Sequence, residues 1–202
     1  MTFCDNLATG RVAESHIARF MRAQGASILP VYEVAEGMCK GPQVFAPMGQ
    51  EYIAPDMFCF NLRGAIWIEA KHKSAFTYHR LTERWTTGID YHHYTHYRKI
   101  SELSAWPVWL LFLHRENGQA KDSPPGCPSG LFGGNLETLS RKVNHMHENF
   151  GRSGGIFWAV DSLQYIASYA DVVGETLRKG PPLISPARPA SCQRQMATCG
   201  VR

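Results

Sequence analysis

The chain has 202 residues, of which 44% are hydrophobic and 11% aromatic, and its formal net charge is +4. This length predicts one domain with additions, and the apolar share suffices for a buried core. The longest apolar stretch, 107–113, is far shorter than the roughly 18 residues of a membrane span, and the first residues lack the pattern of a secretory signal. We therefore expect an intracellular, cytoplasmic protein with no membrane partner. Its mild positive charge permits a polyanionic partner without demanding one.

The cysteines do not form a recognisable disulfide or zinc pattern. None of the six occurs in a CxxC pair, and their spacing matches no disulfide framework. We expect free thiols in a reducing compartment, with Cys59 as a small core residue. The six positions are Cys4, Cys39, Cys59, Cys127, Cys192 and Cys199.

A first helix is predicted from about Gly10 to Gln24. Thr9 is suited to its N-cap and Gly25 to its end. Glu14 borders its apolar stripe. The positions with helical spacing are Ala13, Ile17, Phe20 and Met21.

Strand-forming and turn-forming segments alternate after this helix. Residues 27–34 predict a strand, with Pro30 near an edge of the sheet. Residues 36–53 are rich in turn formers and predict a long loop.

A short hairpin is predicted next. Strands 55–61 and 65–71 are joined by a tight turn at 61–64, so they should pair in antiparallel fashion. Residues 72–89 then predict a looser segment with several basic side chains.

The second half of the chain begins with a helix that Asp90 can cap and that runs to about Leu103. A buried strand at 107–113 and a loop at 115–130, rich in glycine and proline, come next. The later elements are a short strand and a helical piece within 130–143, and a strand within 154–163.

The order α-β-β-β-α-β predicts an α/β domain with a mixed central sheet flanked by helices. We assign residues 1–179 to this single domain. Residues 180–202 lack apolar periodicity and predict a flexible basic tail.

Three charged residues lie within the apolar hairpin, where strand patterning alone would not place them. Side chains alternate along a strand, so Trp67, Glu69 and Lys71 share one face, and Asp56 on the neighbouring strand comes within reach of Glu69. Two desolvated carboxylates repel each other, and a divalent cation such as Mg²⁺ would relieve the repulsion. Lys71 could then stabilise charge on a phosphate. The alternative is a structural Glu–Lys pair beside a turn aspartate.

The pattern "PD" at 55–56 and "EAK" at 69–71, in this order of elements, resembles the PD-(D/E)xK nuclease superfamily over residues 8–115. The resemblance implies a restriction-endonuclease-like core. It makes Asp56, Glu69 and the carbonyl of Ala70 ligands of Mg²⁺, for which Mn²⁺ can substitute. Lys71 would be the catalytic lysine. Glu14 matches the acid on the first helix of many members, including archaeal-type Holliday junction resolvases.

The helix after the motif departs from the family pattern, because many members carry a glutamine there and this chain does not. His93, Tyr94 and Tyr97 are the alternatives for a residue that faces the active site. His92 and His96 have a spacing that can chelate zinc, but no third ligand is evident.

A basic rim follows the motif and suits a nucleic-acid backbone. Each of its residues can equally be a solvated charge or a packed ring. We predict nucleic-acid contacts from Lys73, His79, Arg80, Arg84, His93 and Tyr97.

The resemblance implies a Mg²⁺-dependent endodeoxyribonuclease that hydrolyses DNA phosphodiester bonds, in recombination, repair or phage DNA processing. With no separate specificity domain evident, we expect structure-selective or weakly sequence-specific cleavage, in a bacterium or a phage-infected host. Such enzymes commonly form homodimers. The alternative is a non-catalytic nucleic-acid-binding protein that retains the fold.

Overall fold

The computed structural model describes residues 3–31, 42–121, 123–148 and 153–174. The predicted tail at 180–202 lies outside these residues. Short 3₁₀ turns occur at Pro47–Gly49 and Val160–Ser162. The helices are α1 Phe3–Ala23, α2 Tyr91–Ser104, α3 Leu136–Ser140 and α4 Tyr169–Val173. The strands are β1 Ser27–Pro30, β2 Gln43–Ala46, β3 Gln50–Ile53, β4 Met57–Asn61, β5 Gly64–Lys73, β6 Thr77–His79, β7 Arg84–Asp90, β8 Val108–His114, β9 Gly130–Asn135, β10 Val143–His147, β11 Gly155–Ala159 and β12 Gln164–Ala167.

The central sheet has six strands in the order β1-β4-β5-β8-β9-β12. The β5–β8 pair is parallel and the other pairs are antiparallel, so the sheet is mixed. A parallel pair needs a crossover connection, and helix α2 lies on the segment that joins β5 to β8. The series α1, β1, β4, β5, α2, β8 confirms the predicted α-β-β-β-α-β core.

Two apolar clusters cover the two faces of this sheet. On one face, Ile17 and Phe20 of α1 pack with Ile66 and Ile68 of β5. On the other face, Tyr97 of α2 belongs to the cluster that contains Leu110 and Phe112 of β8. The alternation predicted for β5 is therefore correct, and the face that carries Glu69 and Lys71 is the face toward α2.

A four-stranded sheet, in the order β10-β11-β7-β6, adds to the α2 side. Its two edge strands approach each other, since the rings of His79 and His145 stack at 3.8 Å. Strand β7 runs directly into α2, so this sheet sets where the helix begins.

The boundaries of the first elements differ partly from the predictions. Helix α1 begins at Phe3, so Thr9 lies within the helix and the predicted N-cap is wrong. Its end is as predicted, and Gly25 adopts a φ of +88°, the left-handed conformation that glycine allows after a helix. Strand β1 ends at Pro30 and lies at the edge of the sheet, as predicted, while 32–34 are outside the described residues.

Two segments predicted as loops contain strands. The described part of 36–53 forms the β2–β3 hairpin, and the segment 72–89 contains β6 and most of β7. Strands β10 and β12 were also not predicted. All are short or partly exposed, so their residues lack a clear apolar pattern, and pairing with neighbouring strands decides their conformation.

None of the helices in the described ranges combines the length and the apolar composition of a membrane span. Cys59 is a buried free thiol, as predicted, and burial raises its pKa to about 12.

Candidate active site

Asp56 and Glu69 lie opposite each other at the end of the β4–β5 pair. The antiparallel register pairs Met57 with Ile68, and its continuation by one residue sets Asp56 against Glu69. The Asp56 Oδ2 atom accepts a hydrogen bond of 2.8 Å from the Ala70 N–H, which anchors the carboxylate to β5. The structure therefore brings together the two acids that were predicted from their separation in the sequence.

Glu69 is almost fully buried, with 1% of its side chain exposed, and forms an ion pair with Lys71 through Oε1. The side chain of Lys71 is 30% exposed. The Glu69 Oε2 atom is buried and has no hydrogen-bond partner among the described residues. Leaving a buried carboxylate oxygen without a partner costs free energy, and binding of an ion or a ligand at that oxygen would remove this cost.

The pKa values express how strongly these charges are coupled. Burial, together with the negative charges of Glu69 and Glu14, raises the pKa of Asp56 well above its usual range. Burial opposes the charge of Lys71, but the carboxylates of Glu69 and Asp56 outweigh it and raise the pKa of this lysine. Lys71 is therefore charged in this arrangement.

Glu14 belongs to the same group of charges although it comes from the other face of the sheet. It is half-buried on α1 and lies near enough to act on the charges of both Asp56 and Lys71. The structure thus brings Glu14, the first-helix acid named from the sequence, near the two hairpin residues Asp56 and Lys71.

Helix α2 contributes Tyr97 and His93 to the site. Burial, the charges of Glu69 and Asp56 and a hydrogen bond to Glu69 raise the pKa of Tyr97 well above its usual range. Burial and the charge of Lys71 lower the pKa of His93, whose Nδ1 atom is buried without a partner among the described residues. Of the three alternatives on this helix, Tyr94 instead packs toward Trp158.

Lys73 and Asp90 extend the same face. Burial and the charge of Lys71 lower the pKa of Lys73 to about 8, while the carboxylate of Asp90 opposes this shift. Asp90 precedes α2, as predicted, but its side chain makes no capping hydrogen bond to the helix. Its charge acts on His93 and Tyr97 as well. The sequence suggested only a capping role for Asp90. Residues 72–89 were predicted as a loop, so the sequence did not predict that β7 would end with Asp90 near Lys73.

The facing residues follow an order along the two elements. Along β5, Glu69 interacts with Tyr97, Lys71 with His93, and Lys73 with Asp90. The residue numbers therefore rise along β5 while those of the facing residues fall. We call these six residues the β5–α2 site. Alternation on the strand and the turn of the helix bring each set to one face.

The donor set fits a hard divalent cation. Mg²⁺ is usually held by one or two carboxylates, with water and phosphate oxygens completing its coordination. Asp56 and Glu69 supply two carboxylates, and the Oε2 atom of Glu69, which has no hydrogen-bond partner among the described residues, could ligate a cation. Within the described ranges no group of three or more His, Cys, Asp or Glu side chains forms a metal site. A cation here would therefore depend on main-chain, water and substrate oxygens.

The remaining predicted contacts lie elsewhere. Arg84 begins β7, six residues and about 20 Å of extended strand from Asp90, and it pairs with Asp161 at 2.8 Å. His79 stacks on His145, and Arg80 is exposed in the turn after β6. The structure thus brings one half of the predicted contacts to the acids and leaves the other half at the second sheet. The first half is Lys73, His93 and Tyr97, and the second is His79, Arg80 and Arg84.

The histidine pair on α2 has another role than a zinc site. His96 Nδ1 accepts a hydrogen bond of 2.8 Å from the Ile53 N–H, and its ring meets the edge of Tyr52. The ring of His92 packs against that of His96 in a tilted arrangement, with ring centroids 4.1 Å apart. His96 thus attaches the β2–β3 hairpin to α2.

Comparisons with known proteins gave similarities of fold only. No family model and no curated protein matches the sequence. The Holliday junction resolvase Hjc of Archaeoglobus fulgidus superposes with a TM-score of 0.48 and 9% identity, covering 84% of this chain and 99% of Hjc. The nuclease D212 of a fusselovirus superposes with a TM-score of 0.40 and 10% identity, covering 82% of this chain and 88% of D212.

Proposed function

We propose that this chain is a Mg²⁺-dependent nuclease that hydrolyses DNA phosphodiester bonds. One observation carries the proposal: Asp56 lies opposite Glu69, whose buried Oε2 atom lacks a partner among the described residues, with the charged Lys71 beside them. Two carboxylates and a lysine in this arrangement suit hydrolysis of a phosphate ester.

Asp56, Glu69 and the carbonyl of Ala70 are the residues that would hold the cation. When bound, Mg²⁺ or Mn²⁺ supplies a more acidic water and neutralises charge on the phosphate. Lys71 stabilises the negative charge that develops on the phosphate oxygens. Because its pKa is raised in this arrangement, Lys71 is protonated there and can donate a hydrogen bond to the phosphate. Glu14 adds a negative charge that favours this protonated state.

Three residues of the β5–α2 site are suited to hold the DNA beside the acids. Lys73 provides a positive charge next to Lys71, and positive side chains bind the phosphate backbone. His93 and Tyr97 present polar groups from α2 to the same space. These contacts read the backbone and not the base sequence. We therefore propose an endodeoxyribonuclease that selects DNA by its structure.

The cellular setting that suits this activity is DNA recombination, repair or phage DNA processing in the cytoplasm. A homodimer would bring two sites to the two strands of a duplex. We propose residues 1–179 as the unit that carries this activity.

A second function is favoured by one observation. Lys71 occupies Oε1 of Glu69, and no three-residue ligand group is present within the described ranges. In a protein that binds nucleic acid without cleaving it, the ion pair between Lys71 and Glu69 would stay intact. DNA binding without cleavage in the presence of Mg²⁺ and Mn²⁺ would favour this second function.

The test is a cleavage assay on single-stranded, duplex, flap and four-way-junction DNA with Mg²⁺, Mn²⁺ or EDTA. We expect metal-dependent cleavage that is lost in Asp56→Asn and in Lys71→Ala. The matched control is Asp161→Asn, an exposed carboxylate in the 3₁₀ turn after β11, which should retain activity. Cleavage that survives both site substitutions, with folding intact by circular dichroism, would rule out this mechanism.

A further inference from the structure

The β2–β3 hairpin is a separate two-stranded sheet, and it contacts α2 through His96. We call residues 42–53 the arm. Its register pairs Gln43 with Ile53 and Ala46 with Gln50, so the tip is the turn Pro47–Gly49. Its base is closed by a hydrogen bond of 2.7 Å from the Ala54 N–H to the Pro42 carbonyl.

The tip of the arm presents apolar side chains to solvent. Met48 is 95% exposed and Phe45 is 61% exposed. Single exposed apolar residues are ordinary, but Met48 also has a φ of 64°, in the left-handed region that non-glycine residues rarely adopt. Gly49 follows with a φ of 73°. The backbone therefore accepts an unfavourable conformation that projects Met48 outward.

The arm is attached to the catalytic elements at two points. Along the chain, Asp56 follows the last arm residue, Ile53, by three positions. In space, the Ile53 N–H donates to His96 of α2, the helix that carries His93 into the site. Met48 precedes Asp56 by eight residues, so at full extension the two lie at most about 28 Å apart.

The charge of the arm indicates what it could touch. Glu51 is the one charged residue between positions 42 and 53. Because the arm has no positive charge, it is not suited to bind phosphates, whereas Lys71 and Lys73 are. Insertion between stacked bases, by contrast, is made by apolar side chains such as Met and Phe.

The exposed apolar area at the tip of the arm is too small to favour a second copy of the chain as its binding partner. Met48 and the exposed part of Phe45 offer on the order of 300 Å². A stable protein interface needs about 800 Å² from each partner. Insertion between two bases requires only one or two side chains, and proteins that kink DNA use methionine and phenylalanine in this way.

We propose that Met48, with Phe45 behind it, is a wedge that enters the base stack of branched DNA next to the phosphate held at the β5–α2 site. Bases at a branch are already partly unstacked, so insertion there costs less than in a continuous duplex. The arm would then supply the preference for DNA structure. This inference rests on the proposed function, because it takes DNA as the bound partner.

The experiment places 2-aminopurine at the branch point of a four-way junction, or at the middle of a linear duplex. Fluorescence rises when this base unstacks. The protein is the full chain carrying Asp56→Asn, without and with Met48→Ala and Phe45→Ala. The matched control is Leu62→Ala, an equally exposed residue in the β4–β5 turn. Leu62 lies at the end of β5 away from the site.

We expect a fluorescence rise on the junction that the arm substitutions remove and Leu62→Ala retains. In the active chain, Met48→Ala should lower cleavage of the junction about tenfold, against less than twofold for the linear duplex. An unchanged fluorescence signal in the arm variants would overturn the wedge. A change in oligomeric state on Met48→Ala, measured by ultracentrifugation, would also overturn it and would assign the tip to contacts between copies.

The two proposals fail in different ways. If the protein never cleaves DNA but Met48→Ala removes the fluorescence rise on the junction, the wedge proposal stands and the nuclease proposal fails. If the protein cleaves DNA but Met48→Ala leaves the fluorescence unchanged, the nuclease proposal stands and the wedge proposal fails. If the protein binds neither the junction nor the linear duplex, both proposals fail.

Discussion

Lys71 and Arg84 each form an ion pair with a carboxylate, in opposite surroundings. The partner of Lys71, Glu69, is 1% exposed and sits in the central sheet. Arg84 on the second sheet and Asp161 in the 3₁₀ turn after β11 are 53% and 58% exposed. Water screens the second pair, which makes such pairs worth only about 0–1 kcal/mol. In the first, desolvation couples every neighbouring charge.

This difference shows why one basic region has the electrostatics of a candidate site and the other those of a solvated surface. Around Glu69, burial leaves an oxygen unpartnered among the described residues and raises the pKa of Asp56, so binding of a cation would relieve both. Around Arg84, the charges already neutralise each other in solvent. The same residue types therefore favour binding of a cation around Glu69 but not around Arg84.

The largest effect is expected from removing the buried charge. Glu69→Gln should reduce DNA cleavage at saturating Mg²⁺ by at least about 10²-fold, because a cation ligand is lost. Its unfolding temperature should change little, since the loss of the partner of Lys71 is offset by the loss of repulsion with Asp56. Cleavage rates and thermal unfolding test both statements. Asp161→Asn is the control, and an equal loss of activity in it would erase the contrast between the two pairs.

The pH dependence of Lys73 gives an intermediate effect. Its folded pKa of about 8 lies below its usual value of 10.5. Between these values the unfolded chain holds the proton and the folded chain does not, so the contribution of Lys73 to stability rises with pH. Lys73→Met should therefore be more stable than the unsubstituted chain below pH 8. This advantage should shrink between pH 8 and 10.5 in denaturant titrations, and a constant difference would contradict the shift.

Lys73 also links this titration to DNA. Its charge, and with it a backbone contact, is lost above pH 8. We expect the salt dependence of DNA binding to weaken over that range in the unsubstituted chain and to stay flat in Lys73→Met.

The smallest effect is expected from the exposed pair. Arg84→Met should lower the free energy of unfolding by no more than about 1 kcal/mol. DNA affinity, measured by fluorescence anisotropy, should change less than about twofold, because Arg84 is paired and lies at the far end of β7. A tenfold loss of affinity would instead establish the second sheet as a DNA contact, as the sequence predicted for His79, Arg80 and Arg84.

Patterns within single elements were readable from the sequence. The stripe that contains Ile17 and Phe20 predicted the buried face of α1, and alternation in β5 placed Glu69 and Lys71 on one face. The tight turn after β4 predicted the register that sets Asp56 opposite Glu69. These features depend on local periodicity and on short connections, which a sequence displays directly.

The sequence by itself thus determined the α-β-β-β-α-β core and the acids and lysine of the hairpin. Only the tertiary structure decided that His93 and Tyr97, and not Tyr94, face those charges, and that Asp90 joins them. It also revealed the β2–β3 arm and its attachment to His96. The physical reason is that a repeat in the sequence defines the faces of a helix or strand, whereas the neighbour that each face meets depends on packing between elements distant in the chain.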